Sequence, residues 1–246
     1  MAETISAAML VIGDEILSGR TKDRNIGHLA DMLTAVGIDL KEVRIVADDE
    51  NDIADAVNAL RRRYDYVFTT GGIGPTHDDI TADSISKALG VPCEHDARAM
   101  KLLGEHYAKR DMEFTEARQR MARMPRGAEH IDNPVSVAPG FRIENVHAMA
   151  GVPAIFQAML DNIVPTLRTG QKLISATVHC PVGEGVIGGP LGEIQKAHPD
   201  TIIGSYPKFR DGSFWTELVI RSRSAEALES ARAEVEAMVN RLAPVE

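Results

Sequence analysis

From Ala7 to Ile12 every residue is apolar, and the run stops abruptly on Gly13-Asp14. An apolar run with no polar alternation describes a strand buried on both faces, and such strands belong to parallel sheets covered by helices. Tyr66-Val67-Phe68-Thr69-Thr70 reads as a strand ending in the same manner, on Gly71-Gly72, and Val43 to Ala47 supplies another short one. Between these runs Ile26, Leu29, Ala30, Leu33 and Val36 recur at helical spacing and stop at Gly37, a C-cap, and Ile53, Ala56, Val57 and Leu60 repeat the pattern. Alternation of this kind calls for right-handed βαβ units and a sheet with helices on both faces.

The segment from about Asp96 to Met124 has a helical composition and closes at Pro125. Short strand-like pieces follow at Glu129-Ile131 and His147-Ala150. Ile155, Phe156, Met159, Leu160, Ile163 and Val164 then mark an amphipathic helix, opened by Pro153 in its first turn. The rhythm changes at Thr169-Gly170-Gln171, which divides the chain into residues 1–169 and 170–246. Beyond it, Leu173 to Val178 and Ile202-Ile203 read as strands, and Phe214 to Ile220 alternates like a strand with one face exposed. Leu228, Ala231, Val235, Met238, Val239 and Leu242 make a last helix. The expected fold class is therefore a three-layer α/β/α domain with a mostly parallel sheet, followed by a small α+β domain. The 246 residues accommodate both.

Composition narrows the functions. Hydrophobic residues make up 44% and charged residues 26% of the chain, as in ordinary globular proteins. Acidic residues outnumber basic ones by 36 to 27, for a net charge of −9, and no basic run is long enough to track a phosphate backbone, which argues against nucleic acid. Arg61-Arg62-Arg63 falls at the end of a helical pattern, where cations favour the helix C-terminus. Cys93 and Cys180 have no metal-ligand spacing and suggest no disulfide framework, as in a reducing cytoplasm. The first apolar run stops too early for a signal peptide or a membrane span, so a cytoplasmic location and no membrane partner are expected. Aromatic residues are only 4% of a chain with several amphipathic helices, and one helix face is expected to pack on another subunit in a homo-oligomer.

The chemistry concentrates between Thr69 and Thr81, in Thr-Thr-Gly-Gly-Ile-Gly-Pro-Thr-His-Asp-Asp-Ile-Thr. This stretch follows a buried strand and precedes a helix carrying Ile85, Ala88 and Leu89, and ligands of open α/β sheets bind at such strand ends. Glycines let backbone N–H groups approach an anion, and a helix beginning near Asp79 directs its positive end to the same place. Two adjacent carboxylates, Asp78 and Asp79, would repel a phosphate unless a divalent metal offsets their charge, and Mg²⁺ is commonly held by one or two carboxylates plus phosphate oxygens. Asp79, in the expected first turn of the helix, either caps that helix or faces the phosphates.

This segment closely resembles the signature of molybdopterin-binding domains of the MoaB/Mog type, and most of all the N-terminal domain of the CinA family. Gly13-Asp14-Glu15-Ile16-Leu17-Ser18-Gly19 with Asn25, Val46-Ala47-Asp48-Asp49, Ala138-Pro139-Gly140-Phe141 and Gly151-Val152-Pro153 extend the resemblance over essentially the whole chain. Ala150 stands where the family usually has Pro. The resemblance implies a ligand site built from Thr69, Thr70, Gly71, Gly72, Gly74, Pro75, Thr76 and Thr81 with Asp14 and Asn25. It further implies Asp48, Asp79 and Asp78 as catalytic carboxylates, Asp48 and Asp79 holding a divalent metal (Mg²⁺, Mn²⁺ or Co²⁺). The partner it implies is a small nucleotide or pterin phosphate, with molybdopterin itself a possible ligand. Activities associated with such domains are metal-dependent hydrolysis of ADP-ribose or FAD, adenylylation of molybdopterin in Mog-like members, and, as a third reading, a non-catalytic regulatory role. The sequence ends after the small module, so the C-terminal amidohydrolase domain of full-length CinA is expected to be absent and its activity is not inherited.

Other signals carry less. Gly183-Glu184-Gly185-Val186-Ile187-Gly188 matches a dinucleotide fingerprint, but Pro190 is expected to delay the helix until after the third glycine, and too little chain remains for a sheet. His77 is expected on the surface, His147 and His179 as hydrogen-bonded residues at the core edge. Ser18 and Ser136 lack a nucleophile-elbow setting. Met9, Met32, Met159 and Met238 read as core fillers.

Overall fold

The structure is a computed structural model that describes residues 4–243. The chain forms two compact units, Met1–Gly170 and Gln171–Glu246. The first runs β1 (Ile5–Ile12), α1 (Asp14–Leu17), α2 (Asn25–Ala35), β2 (Ile38–Val46), α3 (Glu50–Arg61), β3 (Tyr66–Thr70), α4 (Thr81–Leu89), β4 (Cys93–His95) and α5 (Ala97–Ala108). It continues through α6 (Glu116–Gln119), β5 (Arg123–Pro125), β6 (Glu129–Ile131), β7 (Gly140–Ile143), β8 (Val146–Met149) and α7 (Pro153–Ile163). A 3₁₀ turn, Arg120–Ala122, links α6 to β5.

The six-stranded sheet has the order β2-β1-β3-β8-β7-β6. β2, β1, β3 and β8 are mutually parallel, and β7 runs antiparallel to both of its neighbours. The apolar run of β1 has a direct use. Ala8, Leu10 and Ile12 enter the core under α3, α4 and α5, while Ile5, Ala7, Met9 and Val11 enter the opposite core under α2 and α7. Each fully buried aliphatic side chain there contributes roughly 1.5–3 kcal/mol of burial. Val67 and Phe68 of β3 divide between the same two layers. The three-layer α/β/α reading therefore holds.

Three local expectations change. The 96–124 stretch is not one helix: Asp96 caps α5, accepting from Ala99 N at 2.8 Å, the chain leaves the helix after Ala108, and Asp111 takes a left-handed φ of 53°. The reversal sets the Phe114 ring on Tyr107 at 5.7 Å, and Arg123–Pro125 then pairs as a strand with Cys93–His95. Gly140-Phe141, part of a family motif and not among the expected strands, begins β7, because Phe141 fills the core between β6 and β8. β2 is also longer than Val43 to Ala47, starting at Ile38 and absorbing an irregularity opposite Ala7/Ala8.

The second unit comprises β9 (Ile174–Cys180), α8 (Glu184–Ala197), β10 (Thr201–Arg210), β11 (Ser213–Ser222) and α9 (Ala225–Leu242). β11 lies between β10 and β9 and is antiparallel to both. α8 starts at Glu184, inside the glycine run, and carries Pro190 in its interior. Ile187, Leu191 and Ile194, buried against α9 and β11, hold the helix through the proline's lost hydrogen bond. The run is the first turn of this helix in a small antiparallel sheet, not a dinucleotide loop. Cys93 and Cys180 are free thiols. Among the described residues no helix is long and apolar enough to cross a membrane.

His147 in β8 departs from the expected hydrogen-bonded residue. It is 1% exposed, stacks on Phe68 at 5.1 Å, and neither ring nitrogen has a partner. Burial lowers its pKa from 6.5 to about 4, so the folded protein keeps the ring neutral where the unfolded chain protonates it. Between those values the unfolded state binds more protons, so stability is complete above pH 6.5 and falls as the pH drops towards 4, by roughly 3 kcal/mol at most. His147→Leu should flatten the pH dependence of denaturant midpoints across that window; an unchanged slope would exclude His147 as its source.

Candidate functional site

β1 and β3 are neighbours in the sheet, but the chain leaves β1 towards β2 on one side and returns to β3 on the other. Their carboxyl ends therefore open a crevice where the connections part, the usual ligand position in such sheets. Gly71 forms its wall with a φ of 100°, and a Cβ there would lie 2.1 Å from the Ile12 carbonyl oxygen, so only glycine lets the end of β3 lie against the end of β1. Thr81 pins the loop from behind. Its hydroxyl donates to Gly71 O at 2.9 Å and its backbone N–H to Gly72 O at 3.0 Å.

Asn25, at the start of α2, is 3% exposed. Its Nδ2 donates to Thr70 Oγ1 and to Gly151 O, both at 2.9 Å, and Thr70 Oγ1 donates onward to Ala150 O at 3.0 Å. The opening segment, the end of β3 and the loop after β8 are thus tied by one amide. Thr69 lies in the sheet interior, fully buried and with an unpartnered hydroxyl, and does not line the cleft.

The carboxylates are arranged differently from the sequence expectation. α4 begins at Thr81, its N-cap Ile80 makes no side-chain cap, and Asp79 lies outside the helix. Asp79 instead closes a turn, its Oδ2 accepting from Thr76 N at 2.7 Å and from the Thr76 hydroxyl. The carboxylate lies so near Gly74 that a Cβ there would be 2.6 Å from Oδ2. The same Thr76 hydroxyl lies close enough to exposed Asp78 to lower its pKa, and with a single hydrogen to give it is contested between the two acids. Asp48, after β2, accepts from Asp14 N at 2.9 Å. Burial raises its pKa first, and the charges of Asp14, Glu15 and Asp78 raise it further. His77 is 99% exposed at the side chain, as expected.

A group of acids of this kind suits a cation. Among the described residues, however, no three His, Cys, Asp or Glu side chains are grouped to hold a metal by themselves. The residues fit a metal shared between one or two carboxylates and a ligand's phosphate oxygens rather than a protein cage.

A cleft of about 500 Å³ adjoins the loop. Gly71, Gly72, Gly74, Pro75 and Asp79 line it, whereas Asp14, Asp48, Thr76 and Asp78 lie outside its lining. Of the other lining residues, Glu15, Ala138, Gly151, Val152 and Pro153 come from the other motifs of the resemblance without having been read as site residues, and Asn133, Ser136, Met121 and Ile155 were not anticipated from sequence. Asn133 holds its own loop, accepting from Val135 N and Ser136 N and donating to Ala138 O at 2.8 Å. The Asn-Pro turn signal marks that loop, but nothing local tells that it faces Gly71. The cleft thus joins an apolar surface to a glycine and carboxylate rim.

Residues 8–169 match the family described as a probable molybdopterin binding domain. The chain belongs to that family. Residues 172–245 match a second one, described as the middle domain of FAD synthase. A protein of Aeropyrum pernix is 34% identical over 248 residues, covering 95% of this chain and 91% of its own. Protein LS215_2186 of Saccharolobus islandicus is 37% identical over 211 residues, covering 82% and 80%. The crystal structure of CinA from Thermoplasma acidophilum, a protein of unknown function, superposes with a TM-score of 0.62 at 30% identity over 66% of this chain and 98% of that one.

The Asn25 joint is testable on stability alone. Asn25→Ala leaves Gly151 O without its donor and should cost about 1–3 kcal/mol. Asn25→Asp keeps the shape but sets a carboxylate against that carbonyl, and should cost more than the alanine at neutral pH. Denaturant melts of both variants in which Asp is the milder change would contradict the donor role.

Proposed function

We propose that this protein is a divalent-metal-dependent hydrolase of nucleotide pyrophosphates, with ADP-ribose and FAD as candidate substrates. The observation that carries the reading is the Asp79 carboxylate packed against Gly74 in the wall of the cleft; Asp78, next to it in the chain, belongs with Asp14 and Glu15 to the charges acting on Asp48. In this reading the Gly71 to Gly74 backbone holds the non-reacting phosphate oxygens. The apolar surface of Met121, Val152 and Ile155 takes the base or isoalloxazine ring and excludes water from that side. Asp79 and Asp48 would hold the cation, and Thr76 keeps Asp79 oriented through its N–H and hydroxyl. A bound Mg²⁺, Mn²⁺ or Co²⁺ supplies Lewis acidity and neutralises charge developing on the phosphates.

A second reading, a molybdopterin-binding protein that transfers an adenylyl group, is supported by the family match over residues 8–169. Both use the same phosphate loop, and they differ in what is released. Purified protein incubated with ADP-ribose or FAD and each metal should release AMP above a metal-free control. No release from either substrate, with ATP-dependent modification of molybdopterin, would favour the transferase.

Asp79→Asn provides the sharper comparison. The amide oxygen can still accept from Thr76 N, so the turn and the melting temperature should persist, while turnover falls on the order of 10²-fold or more with the lost charge. Asp48→Asn should act similarly, and the double variant should lose less than the two losses combined, because both act through one cation. A normally folded Asp79→Asn protein with wild-type turnover would remove Asp79 from the mechanism.

A further inference from the structure

The turn that carries Asp78 and Asp79 is held from outside by a residue distant in sequence. Arg120, first residue of the 3₁₀ turn after α6, donates from Nε to Thr76 O and from Nη2 to Asp79 O, both at 3.2 Å. Those two carbonyls bracket the turn, which is closed internally by Asp79 N donating to Thr76 O at 3.3 Å and Thr76 N donating to Asp79 Oδ2 at 2.7 Å. Guanidinium groups ordinarily seek carboxylates, and neighbouring Arg123 does so, reaching Asp83 at 2.5 Å. Arg120 is different: among the described residues it makes no ion pair, although Asp79 lines the same small recess with it, Gly72 and Gly74. Its planar fork is spent on main-chain oxygens three residues apart, a geometry that a single ammonium cannot reproduce. Its charge is left to offset the acids of the turn.

We propose that Arg120 is the positioning residue of this site: its guanidinium fork fixes the Thr76–Asp79 turn, and with it the Asp79 carboxylate against the glycine loop, before any ligand binds. The proposal rests on the site described above but not on the reaction assigned to it.

Amide hydrogen exchange of the full chain, read by NMR without ligand, tests it directly. In Arg120→Met and Arg120→Lys the Thr76 and Asp79 amides should exchange about tenfold faster or more, while amides of the β1–β3 ladder keep their wild-type rates. Ethylguanidinium added to Arg120→Ala should slow the two amides again, and the same concentration of ethylammonium should not. Wild-type exchange at both amides in Arg120→Met overturns the proposal. Protection kept by Arg120→Lys but lost in Arg120→Met also overturns it, since charge rather than the fork would then be the agent. Should Arg120→Met fail to fold, Arg120→Lys and the rescue of Arg120→Ala decide. On any substrate the wild-type protein hydrolyses, Arg120→Lys should lower kcat with KM nearly unchanged. Absence of hydrolysis by the wild type removes the assigned reaction and leaves the exchange result standing.

Discussion

Two hydrogen bonds from the side-chain amide of Asn25 join positions 45 and 126 residues away in the chain, Thr70 and Gly151. Each contributes only about 1 kcal/mol net, but the geometry they impose is larger than that figure suggests. Thr70 ends β3, Gly151 follows β8, and Asn25 begins α2, so the amide fixes one helix start against the carboxyl ends of two parallel strands. Gly151 lies so close to Gly71 that a Cβ on it would be 3.3 Å from Gly71 Cα. With that distance set, the glycine loop and the loop after β8 become opposite walls of one cleft. The buried amide has few alternatives, since Nδ2 is committed twice and Oδ1 has no partner.

How far the fold was readable depended on the distance over which each element is determined. β1 and β3 announce themselves because both of their faces are buried, which leaves no polar position in the core of the run; α2, α3 and α7 do so through helical spacing. β4, β5 and β7 do not, being three or four residues long and defined by partners elsewhere in the chain. Phe141 becomes a strand residue only because β8 stands beside it. Pro190 misleads for a related reason: local propensity opposes a helix there, and packing of Ile187, Leu191 and Ile194 overrides it.

The site divides along the same line. The place of the glycine loop at the end of β3 was legible, although glycines there suit a tight turn as well as a ligand loop. The support of Asp79 was not, because capping by an acid two residues before a helix and closure of a turn by the same acid look alike in sequence. Only the position of Thr81 as first helical residue separates them, and that position follows from its bonds to Gly71 and Gly72. Arg120 and Asn133 reach the site from segments that do not resemble the glycine loop. Their contribution is tertiary.

Electrostatics sets the remaining constraint. In a chain of net charge −9 the site collects acids rather than dispersing them, yet the acids are not equivalent. Asp79 is satisfied by Thr76, exposed Asp78 is held below its ordinary pKa by the neighbouring hydroxyl, and half-buried Asp48 is raised by burial and by the charges around it. Burial and the neighbouring charges make Asp48 costly to keep charged alone. Arg120 supplies positive charge on the Asp79 side, whereas Asp48 accepts from the neutral backbone N–H of Asp14. The excess of negative charge is thus greatest around Asp48, beside Asp14 and Glu15. A ligand bringing only phosphate would add to that excess, and one bringing phosphate together with a divalent cation would relieve it.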